Sequence, residues 1–216
     1  MHDATVDRTC NGTGAVARLT WDRLRTLDAG YHFRDLGGQL SFRGSGVRIP
    51  RLDDVLEAFS RVRINVEAKS REVAGPLLRI IRRHRAEHRV LFAAEVESHR
   101  RDARGYEGPW GASRRQIALF WGGVHTRMTA RLDPRFDVLQ VPEVWNGIRV
   151  VAPRFLDEAH RMNLAVHVWV VDQEHEMRRL LSWGVDGIQT DRLDVLSRVL
   201  CDVAGRPPPP RSGIVP

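Results

Sequence analysis

The chain has 216 residues, of which 42% are hydrophobic and 28% are charged, as in an ordinary globular protein with one sizeable core. No apolar run approaches the roughly 20 residues that a membrane-spanning helix needs. The N-terminus also lacks the basic and apolar regions of a secretion signal. We therefore expect no integral membrane segment and a cytoplasmic location.

The net charge of +7 and the isoelectric point of about 10.7 raise the possibility of a nucleic-acid partner. The arginines, however, are spread over nearly every segment of the chain. The densest run, at 79–89, has the spacing of a solvated helix face. We therefore expect no nucleic-acid partner, and keep an arginine-rich nucleic-acid binder only as an alternative that a steep salt dependence of affinity would reveal.

Two rare residue types carry information about compartment and chemistry. Cys10 and Cys201 lie near opposite ends of the chain without metal-ligand spacing, which favours free thiols over a disulfide framework. Lys69 is the single lysine in a chain that otherwise uses arginine. This choice is either chance or the mark of a site that needs a compact ammonium group.

The first part of the chain predicts little regular structure. Residues 7–49 contain many glycines and few apolar runs, which predicts an irregular excursion before the first clear helix at 51–60. A loop of that length within a compact domain is usually functional.

From residue 60 onward, strand-like runs alternate with helical runs, a pattern typical of parallel βαβ units. Strands are predicted at 63–69, 89–95, 115–121, 136–143, 163–172 and 185–191. Helices are predicted at 71–87, 123–132, 153–162 and 173–184, the last of these ending at a glycine, and from 192 onward. The pattern gives six βα units in a domain that extends to residue 204. Residues 205–216 are predicted to form a proline-rich, disordered tail.

In parallel α/β folds, ligands bind beyond the carboxyl ends of the strands. The predicted strand 63–69 alternates apolar and polar side chains, which places Glu67 and Lys69 on one face, about 6.6 Å apart along the strand. They form either an internal ion pair or a metal-ligating carboxylate beside a phosphate-binding ammonium. Spacing alone leaves both interpretations open.

Other predicted strands end in polar or aromatic residues. These are Glu95, Glu143, Trp169 with Asp172, and Asp191. A carboxylate at a strand end is often the N-cap of the next helix, and Asp191 fits that role. Trp169 either fills core space or forms an aromatic wall at the site. His2 differs from most of the histidines because it belongs to no obvious helix face.

The sequence resembles the glycerophosphodiester phosphodiesterase family. The resemblance rests on the order and spacing of several segments: HDATVDRTCNGTG, LRTLDAGYHF, PRLDDVLEAF, INVEAK and HVWVVDQEHEMRRLLSWGVDGIQTDRLDVL. It implies a TIM (β/α)8-type barrel with an insertion near the N-terminus, which residues 7–49 match. It also implies hydrolysis of a small-molecule glycerophosphodiester to glycerol 3-phosphate and an alcohol.

The resemblance also implies roles for particular residues. It makes His2 a catalytic general acid or base, Glu67 a ligand of a Ca²⁺ or Mg²⁺ ion, and Lys69 a phosphate-contacting group. Trp169 matches the substrate-binding tryptophan of the penultimate strand, in Trp-Val-Val-Asp where the family commonly has Trp-Thr-Val-Asn. This chemistry is coherent because a hard cation neutralises phosphate charge and imidazole transfers protons near neutral pH.

The family's His-Arg-Gly and Glu-x-Asp motifs, with a further catalytic histidine and two carboxylate ligands, precede the segment at which this sequence starts. We therefore expect a barrel truncated at its N-terminus to about six βα units, from a misplaced start codon or a truncated gene. In-frame coding sequence upstream of Met1 would support this expectation, and a stop codon there would contradict it. A non-catalytic remnant that only binds phosphate, or a phospholipase D-like enzyme of the same barrel type, are the alternative functions.

Overall fold

A computed structural model describes residues 1–207 of the chain. They divide into two compact units, Met1–Ser60 and a second that begins at Arg61. Within the described residues, no helix combines the length and the apolarity needed to cross a membrane. The predicted tail at 205–216 lies mostly outside the described residues, and only its exposed first residues, 205–207, follow the last helix.

The N-terminal unit contains little regular structure, as predicted for residues 7–49. Its elements are a 3₁₀ helix at Val16–Arg18, a single-turn helix α1 (Trp21–Leu24) and the helix α2 (Leu52–Ala58). A small core of its own holds the loops together. Its buried members are Val6, Cys10, Leu27 and Ile49.

The C-terminal unit is built on parallel strands. β1 (Ile64–Glu67) pairs with β2 (Val90–Ala93), while β3 (Val138–Pro142) pairs with β6 (Ala165–Trp169), which pairs with β7 (Gly187–Ile188). Between β3 and β6, the two short strands β4 (Val144–Trp145) and β5 (Ile148–Arg149) form an antiparallel hairpin.

Residues 109–112 join these two groups of strands. The Gly111 amide donates to the carbonyl of Phe92 over 2.9 Å, and the Ala112 amide donates to the carbonyl of Val138 over 2.8 Å. With this segment, the C-terminal unit has six parallel strand positions whose spatial order is their chain order. That order is typical of a TIM barrel, because a doubly wound sheet reverses direction at a switch point.

Helical segments follow the strands in the chain. After β1 comes α3 (Arg71–Arg83), after β2 a 3₁₀ helix (Glu97–Ala103), and after residues 109–112 comes α4 (Arg114–Thr126). The hairpin leads into α5 (Pro153–Arg161), β6 into α6 (Glu174–Trp183), and β7 into α7 (Leu193–Ala204). Gly184 ends α6 in the left-handed conformation, as expected of a glycine C-cap.

The core of this unit lies between the sheet and the helices. The outward-facing valines and leucines of β3 and β6 are fully buried there, with the aromatic residues of the helices. Phe120 of α4 meets Phe155 of α5 edge to face, with ring centroids 5.2 Å apart. Each fully buried side chain of this size stabilises the fold by about 1.5–3 kcal/mol through burial.

The third predicted strand is wrong. Residues 115–121 lie in the helix α4, and the third strand position is occupied by residues 109–112. Ser113 caps this helix: its hydroxyl accepts the Gln116 amide, and the Gln116 side chain accepts the Ser113 amide. Such a capping box in Ser-x-x-Gln favours a helix start over a strand.

Two further predictions concern Asp191 and the cysteines. Asp191 is not the N-cap of α7, because Arg192 occupies that position and Asp191 lies before it. Both cysteines have free thiols, with Cys10 buried and Cys201 half-buried, as predicted.

Candidate functional site

Glu67 and Lys69 close β1 and point to the same side of it. Their side chains form an ion pair, with Nζ of Lys69 2.6 Å from Oε2 of Glu67. Ala68 between them is buried on the opposite face, where its amide donates to the carbonyl of Ala93 over 2.8 Å. The structure therefore contains an ion pair at this strand end. The Glu67 side chain is 33% exposed and the Lys69 side chain 44%.

The face that carries Glu67 can be followed across the sheet. Glu67 pairs with Ala93 of β2. A Cβ atom at Gly111 would lie 3.2 Å from Cβ of Ala93 and 3.0 Å from Oε1 of Gln140. One face of the sheet therefore carries positions 67, 93, 111 and 140, because paired residues of neighbouring strands point to the same side.

Trp169 lies on this same inner face, at the carboxyl end of β6. Gln140 of β3 pairs with His167, and two residues further on Pro142 pairs with Trp169. The period of two keeps Gln140, His167 and Trp169 on one side. The structure thus brings the predicted Glu67, Lys69 and Trp169 to one face of one sheet, at the carboxyl ends of their strands.

His167 belongs to this inner face and was not singled out by the sequence interpretation. Burial lowers the pKa of its imidazole, and the nearby Asp186 carboxylate opposes that shift. A Cβ atom at Gly187 would lie 2.6 Å from Cδ2 of His167, so only glycine leaves room for the ring. The alternation in the segment HVW, which places His167 two residues before Trp169, was the signal that could have identified it.

The other strand-end carboxylates are held by neighbouring groups. Glu95 pairs with Arg114, and Asp172 accepts the Thr190 hydroxyl and the Asp191 amide. Two guanidinium groups bind Glu143: Arg179 over 2.7 Å and, over the same distance, Arg149. These two arginines, Arg179 first, hold the pKa of Glu143 below its usual value.

His2 lies in the N-terminal unit, where Asp3 orients it. Nδ1 of His2 lies 2.8 Å from Oδ1 of Asp3, and Nε of Arg8 lies 2.5 Å from Oδ2 of the same carboxylate. Arg8 first and His2 second hold the pKa of Asp3 well below its ordinary value. Since an ionised carboxylate only accepts, Nδ1 is the ring nitrogen of His2 that carries the hydrogen.

The rest of the motif DRTCNGTG closes the loop behind His2. The Asp7 carboxylate accepts the Gly14 amide over 3.0 Å, and the Asn11 side chain accepts the Asp28 amide over 2.8 Å. Gly14 has a φ of +117°, which favours glycine. These polar residues therefore have a structural role: they fix the loop that follows His2 in the chain.

The described residues do not fit a divalent cation. Ca²⁺ and Mg²⁺ take about six or more oxygen ligands, usually including several carboxylates. In residues 1–207, no group of three or more His, Cys, Asp or Glu side chains lies close enough together to hold a metal ion. Glu67 is moreover paired with the Lys69 ammonium.

Comparisons with known proteins agree with the fold and identify the family. A model of the glycerophosphoryl diester phosphodiesterase family matches residues 1–195. A Mycobacterium tuberculosis protein named probable glycerophosphodiester phosphodiesterase 2 is 30% identical over 206 residues, 93% of this chain and 73% of that protein. The glycerophosphodiester phosphodiesterase of Caldanaerobacter subterraneus is 28% identical over 209 residues, 91% of this chain and 77% of that protein.

Solved structures share the fold. The glycerophosphoryl diester phosphodiesterase domain of a Mycobacterium tuberculosis protein has a TM-score of 0.76 at 15% identity, covering 94% of this chain and 82% of that one. An Oleispira antarctica phosphodiesterase, solved with the product sn-glycerol-3-phosphate, has a TM-score of 0.69 at 17% identity, covering 93% and 78%. The predicted TIM-barrel fold is confirmed, and the chain belongs to the glycerophosphoryl diester phosphodiesterase family.

Proposed function

We propose that the chain hydrolyses glycerophosphodiesters to glycerol 3-phosphate and an alcohol. The observation that carries this proposal is the position of Glu67, Lys69 and Trp169 on one face of the sheet, at the carboxyl ends of their strands, in a chain of this family. Carboxyl ends of barrel strands are where such folds place their chemistry.

Lys69 binds the phosphate in this proposal. Its ion pair with Glu67 is partly exposed, and such pairs contribute only about 0–1 kcal/mol to stability. An anionic phosphate can therefore compete for the ammonium group, which presents three N–H donors. Trp169, on the same face, offers an apolar wall for the carbon atoms of the glycerol group.

His2 transfers protons. In hydrolysis, the oxygen of a water molecule forms a new bond to phosphorus as the bond between phosphorus and the alcohol oxygen breaks; one proton leaves the water and one is given to the leaving oxygen. The Asp3 carboxylate fixes the Nδ1 hydrogen of His2, so Nε2 can accept or return a proton. Dependence on Ca²⁺ or Mg²⁺ stays a prediction from the family resemblance, although Glu67 alone does not make a cation site within the described residues.

One observation favours a second candidate, a non-catalytic remnant that only binds phosphate. Glu67 is engaged by Lys69, and residues 1–207 contain no cluster of metal ligands. In that case Lys69 would still bind phosphate groups without any turnover. A cytoplasmic location stays a prediction from the sequence.

The two candidates are separated by one assay. Release of glycerol 3-phosphate from glycerophosphocholine would be followed with an enzyme-coupled reaction, with Ca²⁺, with Mg²⁺ and with a chelator. Turnover that is lost in Glu67→Gln and in Lys69→Ala, with folding preserved by circular dichroism, supports the hydrolase. No turnover in any condition contradicts it.

Binding at Lys69 can be tested without turnover. Because Lys69 is the single lysine, amine acetylation followed by peptide mass spectrometry reports on its Nζ without interference from another lysine. Protection of Nζ by glycerol 3-phosphate, with no protection of the N-terminal amine, supports a phosphate site. Protection of Nζ without turnover would identify the remnant. If neither protection nor turnover is observed, both candidates are rejected.

A further inference from the structure

A cleft in the C-terminal unit is rich in guanidinium groups. It has a volume of about 380 Å³ and lies between the 3₁₀ helix Glu97–Ala103, the third strand position and α4. Its lining includes Arg100, Arg101, Arg104, Arg135, Trp110 and Gln116.

This cleft lies on the face of the sheet opposite to Glu67. Gly111 points to the inner face, beside Ala93, so its neighbour Trp110 points to the outer face. There the Trp110 ring packs against Phe92, with ring centroids 4.9 Å apart. The cleft is therefore separated by the sheet itself from the strand ends that carry Glu67, Lys69 and Trp169.

Three contacts hold the guanidinium group of Arg100 in place at the cleft. Its guanidinium lies 4.4 Å from the centroid of the Trp110 ring, donates to Oε1 of Gln116 over 2.8 Å, and reaches the carbonyl of Arg135 at 3.4 Å. A guanidinium has five N–H donors. Two of them are used here, which leaves the others free to bind an anion.

The other guanidiniums are exposed and weakly paired. Within residues 1–207, Arg101 and Arg104 have no ion pair or side-chain hydrogen bond. Arg101 lies in the 3₁₀ helix and Arg104 directly follows it, and both line the cleft. Arg135 meets Asp133 only at 3.8 Å, with both side chains almost fully exposed. Three cations thus face the same cleft without a strong partner.

The charge of the lining selects the class of ligand. Four arginines and one carboxylate, Glu97, line the cleft, and Glu97 is already engaged by Arg115 at 3.6 Å and by the Ser113 hydroxyl at 3.4 Å. One phosphate group carries only about 1.5 to 2 negative charges at neutral pH. We propose that this cleft binds a small anion with two linked phosphate groups, of the pyrophosphate class, at a site separate from that of Lys69.

Calorimetric titration of the full chain with sodium pyrophosphate, orthophosphate and sulfate at constant ionic strength tests the site. We expect pyrophosphate to bind most tightly, because linked phosphates can engage several guanidiniums at once. The double variant Arg101→Gln with Arg104→Gln should weaken pyrophosphate binding at least about tenfold, since it removes two charge-assisted donors. Thermal unfolding of each variant checks that the fold is intact.

Two further variants serve as controls. Arg61→Gln with Arg63→Gln removes the same charge from exposed residues outside the cleft, and should change the affinity by less than about twofold because screened surface charges act weakly. Each titration is also run in a Lys69→Ala background, so that the phosphate site proposed at Lys69 does not contribute to the binding measured at the cleft. An equal loss in the Arg61 and Arg63 control, no pyrophosphate binding left in the Lys69→Ala background, equal affinity for sulfate, or no binding at all would each overturn the proposal.

Discussion

Nδ1 of His2 lies 2.8 Å from Oδ1 of Asp3, while Arg8 binds the same carboxylate through both of its oxygens. The guanidinium keeps Asp3 ionised, and the ionised carboxylate selects the His2 tautomer with hydrogen on Nδ1. His2 itself is largely exposed, so neighbouring packing does little to fix its ring. The carboxylate is therefore the group that orients the imidazole.

Replacement of Asp3 by Asn should impair His2 without removing it. An amide can donate to Nδ1 and thereby select the wrong tautomer, so we expect kcat for glycerophosphodiester hydrolysis to fall by at least about tenfold with KM little changed. Asp22→Asn is the control, because Asp22 is an exposed carboxylate of the same unit that pairs with Arg25. Nitrogen NMR of the His2 ring gives a readout independent of turnover, and an unchanged tautomer in Asp3→Asn would contradict the prediction.

The third strand shows what local pattern can and cannot predict. The apolar run Ile117–Trp121 is compatible with a buried strand or a buried helix, because periodicity alone does not separate short apolar runs. The polar signal lay just before it, in the capping box of Ser113 and Gln116. The true strand position at 109–112 contains proline and glycine and is recognisable only through its pairing with Phe92 and Val138.

Phe120 and Leu119 provide a direct test of the α4 helix. Phe120 is buried to 1% exposure against Phe155, whereas its neighbour Leu119 is 53% exposed. Phe120→Ala should lower the free energy of unfolding by about 3–5 kcal/mol because it leaves a cavity in the core. Leu119→Ala should change it by less than about 0.5 kcal/mol. Urea unfolding measures both, and similar losses for the two variants would contradict this helix orientation.

The site itself was predictable to a limited depth. Alternation within one strand correctly placed Glu67 and Lys69 on one face, because that relationship needs only the period of two. That Trp169 shares this face depends on the register of four further strand positions, which no local pattern contains. His167 was missed for the same reason, since its burial arises from contact with β7.

The close approach of Gly187 to His167 predicts a strong coupling between them. Gly187→Ala would place a methyl group 2.6 Å from the ring, and should lower the free energy of unfolding by about 1–3 kcal/mol. In a His167→Ala background the methyl group has room, so the same substitution should cost less than about 0.5 kcal/mol.

Gly122→Ala is the matched control for this cycle. Gly122 lies in α4 with open space around its Cβ position, so alanine should stabilise the protein by about 0.5–1 kcal/mol. Urea unfolding of the four variants of the cycle and of this control gives the comparison. A cost of Gly187→Ala that is equal with and without the His167 ring would show that the ring is not the obstacle.

Burial of His167 should make the stability of the protein depend on pH in the weakly acidic range. Burial lowers the pKa of the folded-state imidazole below its ordinary value of 6.5, with Asp186 opposing the shift. As the pH falls below 6.5, the unfolded chain therefore binds a proton that the folded protein does not, and stability decreases until the lowered pKa is passed. His167→Gln should remove the loss of stability that His167 causes between pH 7.5 and 5.5, measured as the midpoint of urea unfolding. His88→Gln changes a histidine at an exposed position and should leave that loss in place. An unchanged pH dependence in His167→Gln would assign the loss to other groups.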